Sequence, residues 1–183
     1  MKENLDEKQV AIKLSENYIS RLDDLARRGN TNRRQLMVNF IKIWLDELKE
    51  SNLANFFHLA IILREIEADM KGDLGRQSEY VELIVPEKQF PFPIMLTEDD
   101  NLYVISCSGR ANMTRHHMMK SMIITGIGEL EKLTDNKEYD FSVVEPKLKR
   151  ALGVIMAKGF RAFREGIREK HPLKRKINEW WEF

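Results

Sequence analysis

A single cysteine, Cys107, stands in 183 residues, so no internal disulfide can form and a reducing compartment is expected. No apolar run reaches the roughly 20 residues that span a bilayer. The opening MKENLDEK is charged, with no apolar signal core. These absences predict a soluble, cytoplasmic protein with no membrane partner. Net charge is only +1, so the chain as a whole carries no electrostatic signature of a polyanion binder. No glycine-rich phosphate loop, no paired catalytic carboxylates and no Cys/His cluster at metal-ligand spacing is legible. His116-His117 point to different faces of a helix, and Cys107 has no base identifiable beside it. The expectation is therefore no cofactor, no metal and no enzymatic activity.

What the chain does have is an internal repeat. Residues 9–48 read QVAIKLSENYISRLDDLARRGNTNRRQLMVNFIKIWLDEL, and residues 91–130 read PFPIMLTEDDNLYVISCSGRANMTRHHMMKSMIITGIGEL. Offsetting the chain by 94 − 12 = 82 brings them into register without a gap. Ile12 meets Ile94, Leu14 meets Leu96, Arg28 meets Arg110, Asn30 meets Asn112, Arg33 meets Arg115, Met37 meets Met119, Ile41 meets Ile123 and Leu48 meets Leu130.

In the first copy, Val10, Ile12 and Leu14 alternate with Gln9, Ala11 and Lys13, the period of a half-buried strand. A strand this short needs a partner. Ser15 suits the N-cap of a helix starting at Glu16, with Ile19, Leu22, Leu25 and Ala26 at helical spacing. Gly29 and Asn30 break it, both tolerating positive φ. Asn32 caps a second helix whose apolar face is Leu36, Met37, Phe40, Ile41, Trp44, Leu45 and Leu48. So small a unit cannot bury a core alone. It must dimerise or be completed by its own second copy.

Strand, Ser-Glu, helix, Gly-Asn turn and capped basic helix together resemble the ribbon-helix-helix family, which includes the methionine and Arc repressors. The resemblance covers a little under half the chain. It implies a mainly α fold with a short two-stranded antiparallel β-ribbon: a tandem ribbon-helix-helix pseudo-dimer plus extra helices. It also implies double-stranded DNA as partner, with the ribbon in the major groove. Carried onto this chain, the base-reading positions are Gln9, Ala11 and Lys13: glutamine for adenine, lysine for guanine, alanine for a thymine methyl. The start of the second helix, Asn32, Arg33 and Arg34, would hold a backbone phosphate.

The second copy departs from this pattern. Its strand, PFPIML, puts Phe92, Ile94 and Leu96 at core positions and leaves Pro91, Pro93 and Met95 facing the groove, where none donates to a base edge. Met95 is its remaining reader. The prolines lie two apart, so both missing N–H groups fall on one edge, which a two-stranded ribbon leaves free. Thr114, Arg115 and His116 would repeat the phosphate contact. Leu102-Tyr103-Val104-Ile105 is β-prone, so a rival reading is a hairpin: Phe92 to Leu96, a turn over 97–101, then Leu102 to Ser106.

The organisation expected is 8–49 first unit, 50–88 connecting helix and loop, 89–133 second, divergent unit and 134–183 basic helical region. Residues 53–70 read as an amphipathic helix, 71–78 as a loop, Tyr80 to Val85 as a strand and 134–139 as polar linker. Pro146 suits the first turn of a last helix, where Gly153, Gly159 and Gly166 weaken it or allow close packing. From Lys147 to Lys176 there are eleven Lys or Arg against two acids. This basic helix is expected to pack on the repeats and cover the acidic middle helix.

The functional expectation is sequence-specific DNA binding by a transcriptional repressor. Two alternatives stay open: an accessory protein of a conjugative relaxosome or plasmid partition system, and an assembly module whose second unit has lost DNA reading. Self-association on DNA and a protein partner for the C-terminal region also stay open.

Overall fold

In the computed structural model, which describes residues 7–70 and 88–164 and the side chains of all but 65–70, the chain is mainly helical with one two-stranded antiparallel sheet. Strand β1 (Glu7–Ser15) leads into α1 (Glu16–Arg28) and the long α2 (Arg33–Ser51). A single 3-10 turn, Ala54–Phe56, precedes α3 (Phe57–Met70). Then β2 (Gln89–Thr97), α4 (Glu98–Arg110) and the long α5 (Arg115–Thr134) repeat the opening order, and α6 (Phe141–Arg164) follows. The two strands begin 89 − 7 = 82 residues apart, and α1 and α4, like α2 and α5, start with the same separation.

The strands pair with Ala11 opposite Pro93, Val10 opposite Ile94 and Ile12 opposite Phe92. Ala11 and Pro93 are themselves 82 apart, so the ribbon is centred on corresponding residues. Prolines 91 and 93 cannot donate, so the β2 donors in the ladder come from Phe90, Phe92 and Ile94, and the edge without N–H groups faces away from β1. Val10, Ile12, Leu14, Ile94 and Leu96 are buried beneath the ribbon. Each fully buried side chain of this kind contributes about 1.5–3 kcal/mol. Phe92, expected in the core, is only half-buried.

The long helices α2 and α5 cross beneath the ribbon with complementary side chains. Phe40 lies against Gly126: a Cβ added there would meet the Phe40 ring at 2.6 Å. Trp44 donates its indole N–H to the Met122 carbonyl at 3.2 Å and packs edge-on against Phe57 at 5.0 Å. The separation of 82 relates Phe40 to Met122 and Trp44 to Gly126, so Phe40 touches the counterpart of Trp44 and Trp44 touches the counterpart of Phe40. The rim follows the same rule. Arg28 reaches Thr134 Oγ1 at 3.0 Å, and Arg110, its counterpart, reaches Asn52 Oδ1 at 3.1 Å, Asn52 being the counterpart of Thr134. Arg21 grips Glu131 with two hydrogen bonds at 2.9 and 2.7 Å, and at the corresponding place the Lys49 ammonium lies 5.1 Å above the Tyr103 ring.

Residues 98–110 are helical, which overturns the hairpin reading. The β-prone Leu102 to Ile105 are overridden by the helix start and by tertiary burial. Thr97 Oγ1 accepts from the Asp100 N–H at 3.1 Å, three acids occupy the first turn, and Val104 and Cys107 are fully buried. Ser15 holds the equivalent N-cap position but makes no side-chain cap hydrogen bond. At the following turn Asn30 and Asn112 take positive φ, 47° and 52°, whereas Gly29 does not, at −92°. Gly29 is needed for another reason. Tyr139 sits on it, leaving no room for a Cβ, and donates its hydroxyl to the Leu25 carbonyl at 2.9 Å. Tyr139, read as polar linker, is thus a peg that ties 135–140 to the end of α1.

The last helix begins at Phe141, so Pro146 lies inside it and not in its first turn. It covers α3 as expected: a Cβ at Gly159 would meet that of Ala60 at 2.6 Å, and Phe56 packs on Phe160 and Phe163 at 5.2 and 4.8 Å. Its cations also meet the acidic end of α2, where Lys149 pairs with Glu50. Met1 to Asp6, the 71–78 loop, the Tyr80–Val85 strand, Gly166 and the tail beyond Pro172 lie outside the described residues.

Gly126→Ala should destabilise the fold by about 1–3 kcal/mol through overpacking against Phe40. In urea unfolding, the double variant Gly126→Ala with Phe40→Leu should lose less than the sum of the singles. Additive losses would mean that the two side chains do not share one site.

Candidate nucleic-acid interface

The outward face of the ribbon follows from the strand period. Gln9, Ala11 and Lys13 of β1 are all exposed while their neighbours Val10, Ile12 and Leu14 are buried. On β2, Pro91 and Met95 are exposed and Pro93 is half-buried. Cross-strand pairing sets Gln9 beside Met95, Ala11 beside Pro93 and Lys13 beside Pro91. The four expected base-reading residues, Gln9, Ala11, Lys13 and Met95, therefore share one surface, with every polar reader on β1.

The long helices start at the two flanks of this surface. Asn32 Oδ1 accepts from the Gln35 N–H at 2.8 Å, and Thr114 Oγ1 accepts from the His117 N–H at 3.1 Å. Both side chains are thus occupied as caps, each satisfying one of the four free N–H groups of its first turn. Arg33 is held by two hydrogen bonds of 2.8 Å from its guanidinium to the Asp23 carboxylate, and stacks 4.8 Å above the Phe92 ring. Arg115 donates to the buried Asn101 Oδ1 at 2.9 Å. Arg34 is exposed and makes no hydrogen bond or ion pair among the described residues. Arg33 is thereby pre-oriented beside β2, and Arg34, like the exposed Lys42 nearby, has no partner among the described residues and can engage a ligand there.

The two flanks differ. At the start of α2, beside β2, a cleft of about 940 Å³ is lined by Arg33, Arg34 and Lys42, by the acids Glu7 and Asp23, and by Phe92 and Met95. At the start of α5, beside β1, Arg115 is exposed, but the two histidines that follow it are turned toward the fold. His116 is half-buried and hydrogen-bonds the backbone of Ala11, whose free edge faces it. Burial pushes its pKa below the usual histidine value, and the Ala11 bond opposes that only in part. His117 stands with its ring centroid 6.1 Å from that of His58. Burial, then the neighbouring His58, Lys120 and His116, push it down to about 4. Lys120 itself is buried.

The strand alternation in the sequence puts Gln9, Ala11, Lys13 and Met95 on the exposed face, as observed, but what holds the residues at the helix starts is not legible in it. Asp23 as the anchor of Arg33 and Phe92 as its stacking platform come from different elements and have no shared sequence signal. The tie between His116 and Ala11 likewise needs the fold. Among the described residues no group of three or more His, Cys, Asp and Glu side chains gathers at metal-binding distance, and no helix is long and apolar enough to cross a membrane.

A histidine held neutral by burial binds its proton more weakly folded than unfolded. Stability should therefore fall as pH drops from 6.5, the ordinary value, toward 4, because the unfolded chain takes up a proton that the folded His117 refuses. His117→Gln, which installs the residue type of Gln35 at the corresponding place, should lose less stability than the parent between pH 7 and 5 (about the range of the unfolded titration) in urea unfolding. Equal losses would assign the acid sensitivity to other groups. Comparison with known proteins returns no matching family model, no matching curated protein and no matching solved structure.

Proposed function

We propose that this chain carries two ribbon-helix-helix units descended from a duplication, paired with one another as a single-chain pseudo-dimer. In this reading it binds double-stranded DNA sequence-specifically by laying the β1–β2 ribbon in the major groove. The observation that carries it is the ribbon itself: two strands centred on Ala11 opposite Pro93, with Gln9 and Lys13 exposed and Arg34 and Arg115 exposed at the two helix starts. A two-stranded ribbon fits the major groove, where all four base pairs are distinguishable. The reciprocal contacts of Phe40 with Gly126 and Trp44 with Met122 support pairing of unlike units. Pairing two first units would set Trp44 against Phe40 with no glycine to receive either ring.

The protein acts by occupancy in this reading, as a cytoplasmic transcriptional repressor. The relaxosome or partition role uses the same contacts and differs in where the site lies. A protein-assembly role has one specific observation in its favour: Leu102 and Ile105 of α4 are 54% and 44% exposed, at positions where α1 carries the polar Ser20 and Asp23.

Selection of genomic fragments on the purified protein at physiological salt, followed by sequencing, tests the reading. A discrete asymmetric site is expected, upstream of a gene for a repressor and at a transfer or partition locus for the alternative. No enrichment by folded protein would overturn DNA recognition in favour of assembly. On the recovered site, Lys13→Ala should cost about 1–3 kcal/mol of specific binding. Arg34→Ala should weaken all duplexes alike and reduce the salt slope by about 0.9. Sedimentation should find a monomer in free solution; an obligate dimer would replace intrachain with interchain pairing.

A further inference from the structure

We propose that the β2 half of the ribbon recognises DNA by pyrimidine C5-methyl groups, so that the preferred target presents thymine or 5-methylcytosine to Pro91, Pro93 and Met95. This rests on the DNA-binding reading above.

The outward side chains of β2 between its two ends are carbon and sulfur alone, and two of the three residues also lack a backbone N–H. Ala11, opposite Pro93, extends the same apolar strip across to β1. These side chains are not core that happens to be visible. The core is served by the other face of the strand, where Ile94 and Leu96 are fully buried, while Met95 is 38% exposed. Hydrogen-bonding side chains on the ribbon face are confined along its middle to Gln9 and Lys13 of β1. One strand therefore offers donors and acceptors, and the other offers only apolar contact.

In the major groove an apolar strip has one favourable partner, the methyl group on C5 of a pyrimidine. Against guanine N7 and O6, or the amino groups of adenine and cytosine, it would exclude water and return no hydrogen bond, which is penalised. Cytosine methylation puts the same methyl at the same place, so the chemistry covers both bases. Alternate strand residues advance about 6.8 Å, roughly two base steps at about 3.4 Å each. Pro91, Pro93 and Met95 thus sample separate base pairs. Arg33 and Arg34 stand beside this strand, as the exposed Arg115 stands on the β1 side, so phosphate attraction acts also on the flank where the ribbon has no polar reader. The cations Lys13, Arg33 and Arg34 bordering so narrow a strip favour a nucleic acid over an apolar protein surface as its occupant.

The test uses the full chain and synthetic duplexes of the selected site. Replacing thymine by deoxyuridine removes only the methyl group. In the half-site facing β2, each contacted replacement should weaken binding about fourfold, the effect of one buried methyl-sized group. The same replacement facing β1 should have a smaller effect. Replacing cytosine by 5-methylcytosine at a β2-facing pyrimidine position should strengthen binding by a similar factor. Met95→Ser should abolish the response to uridine at one position while leaving the melting temperature unchanged. Tight binding of the parent duplex with no response to uridine or 5-methylcytosine would overturn methyl recognition and leave DNA binding standing. No binding to any duplex by folded protein would overturn both, and would make the apolar strip a contact for protein.

Discussion

Everything in this molecule depends on one pairing, that of β1 with β2. Neither strand has another partner among the described residues, and two strands alone are marginal in water. Their stability comes from the helices below, and the helices are in turn set by the ribbon. Centring the pairing on Ala11 and Pro93 brings α2 and α5 across one another where Phe40 meets Gly126 and Trp44 meets Met122. A slip of β1 by one residue would turn Val10, Ile12 and Leu14 to solvent and bring Lys13 toward the core. Strand register and helix packing therefore specify each other.

The two strand-helix-helix segments share one element order and present different surfaces. The first keeps polar strand residues, Gln9 and Lys13, and an exposed Arg34 at its helix start. The second has prolines on its strand and tucks His116, His117 and Lys120 into the fold at the places of Arg34, Gln35 and Val38. Shared scaffold demands appear as identical residues, such as Ile12 and Ile94 or Arg28 and Arg110. Interlocking demands appear as complementary ones, such as Trp44 and Gly126. Two identical units could not achieve the second kind of fit, because a bulky residue on one helix needs a small one on the other.

Much of this was legible in the sequence where a local period carries the information. The alternation in 9–14 gave the buried and exposed faces of β1, and the helix starts at Asn32 and Thr114 followed from capping chemistry. Local propensity misled at Leu102 to Ile105, because the decision is made by Thr97, the acidic first turn and the burial of Val104 and Cys107. Gly29 suggests freedom of φ, but its role is to admit Tyr139 from a distant segment, which no window on the sequence can reveal. Pro146 suggests a helix start, but the helix begins at Phe141, where the Asp140 carboxylate accepts from the Ser142 N–H at 2.9 Å. The candidate interface shows the same limit. The cations were recognisable as types, but whether Arg33 is tethered and Arg34 free depends on where α1 puts Asp23.

The prolines of β2 have one more effect. An open strand edge is a template on which further strands, from this chain or another, can assemble. Here the outer edge of β2 lacks two consecutive outward-pointing donors, and the outer edge of β1 is met at Ala11 by His116. Neither side offers a full row of hydrogen-bonding groups to an incoming strand. The sheet is thereby held at two strands, and neighbouring copies can touch through their helices without fusing into a continuous sheet.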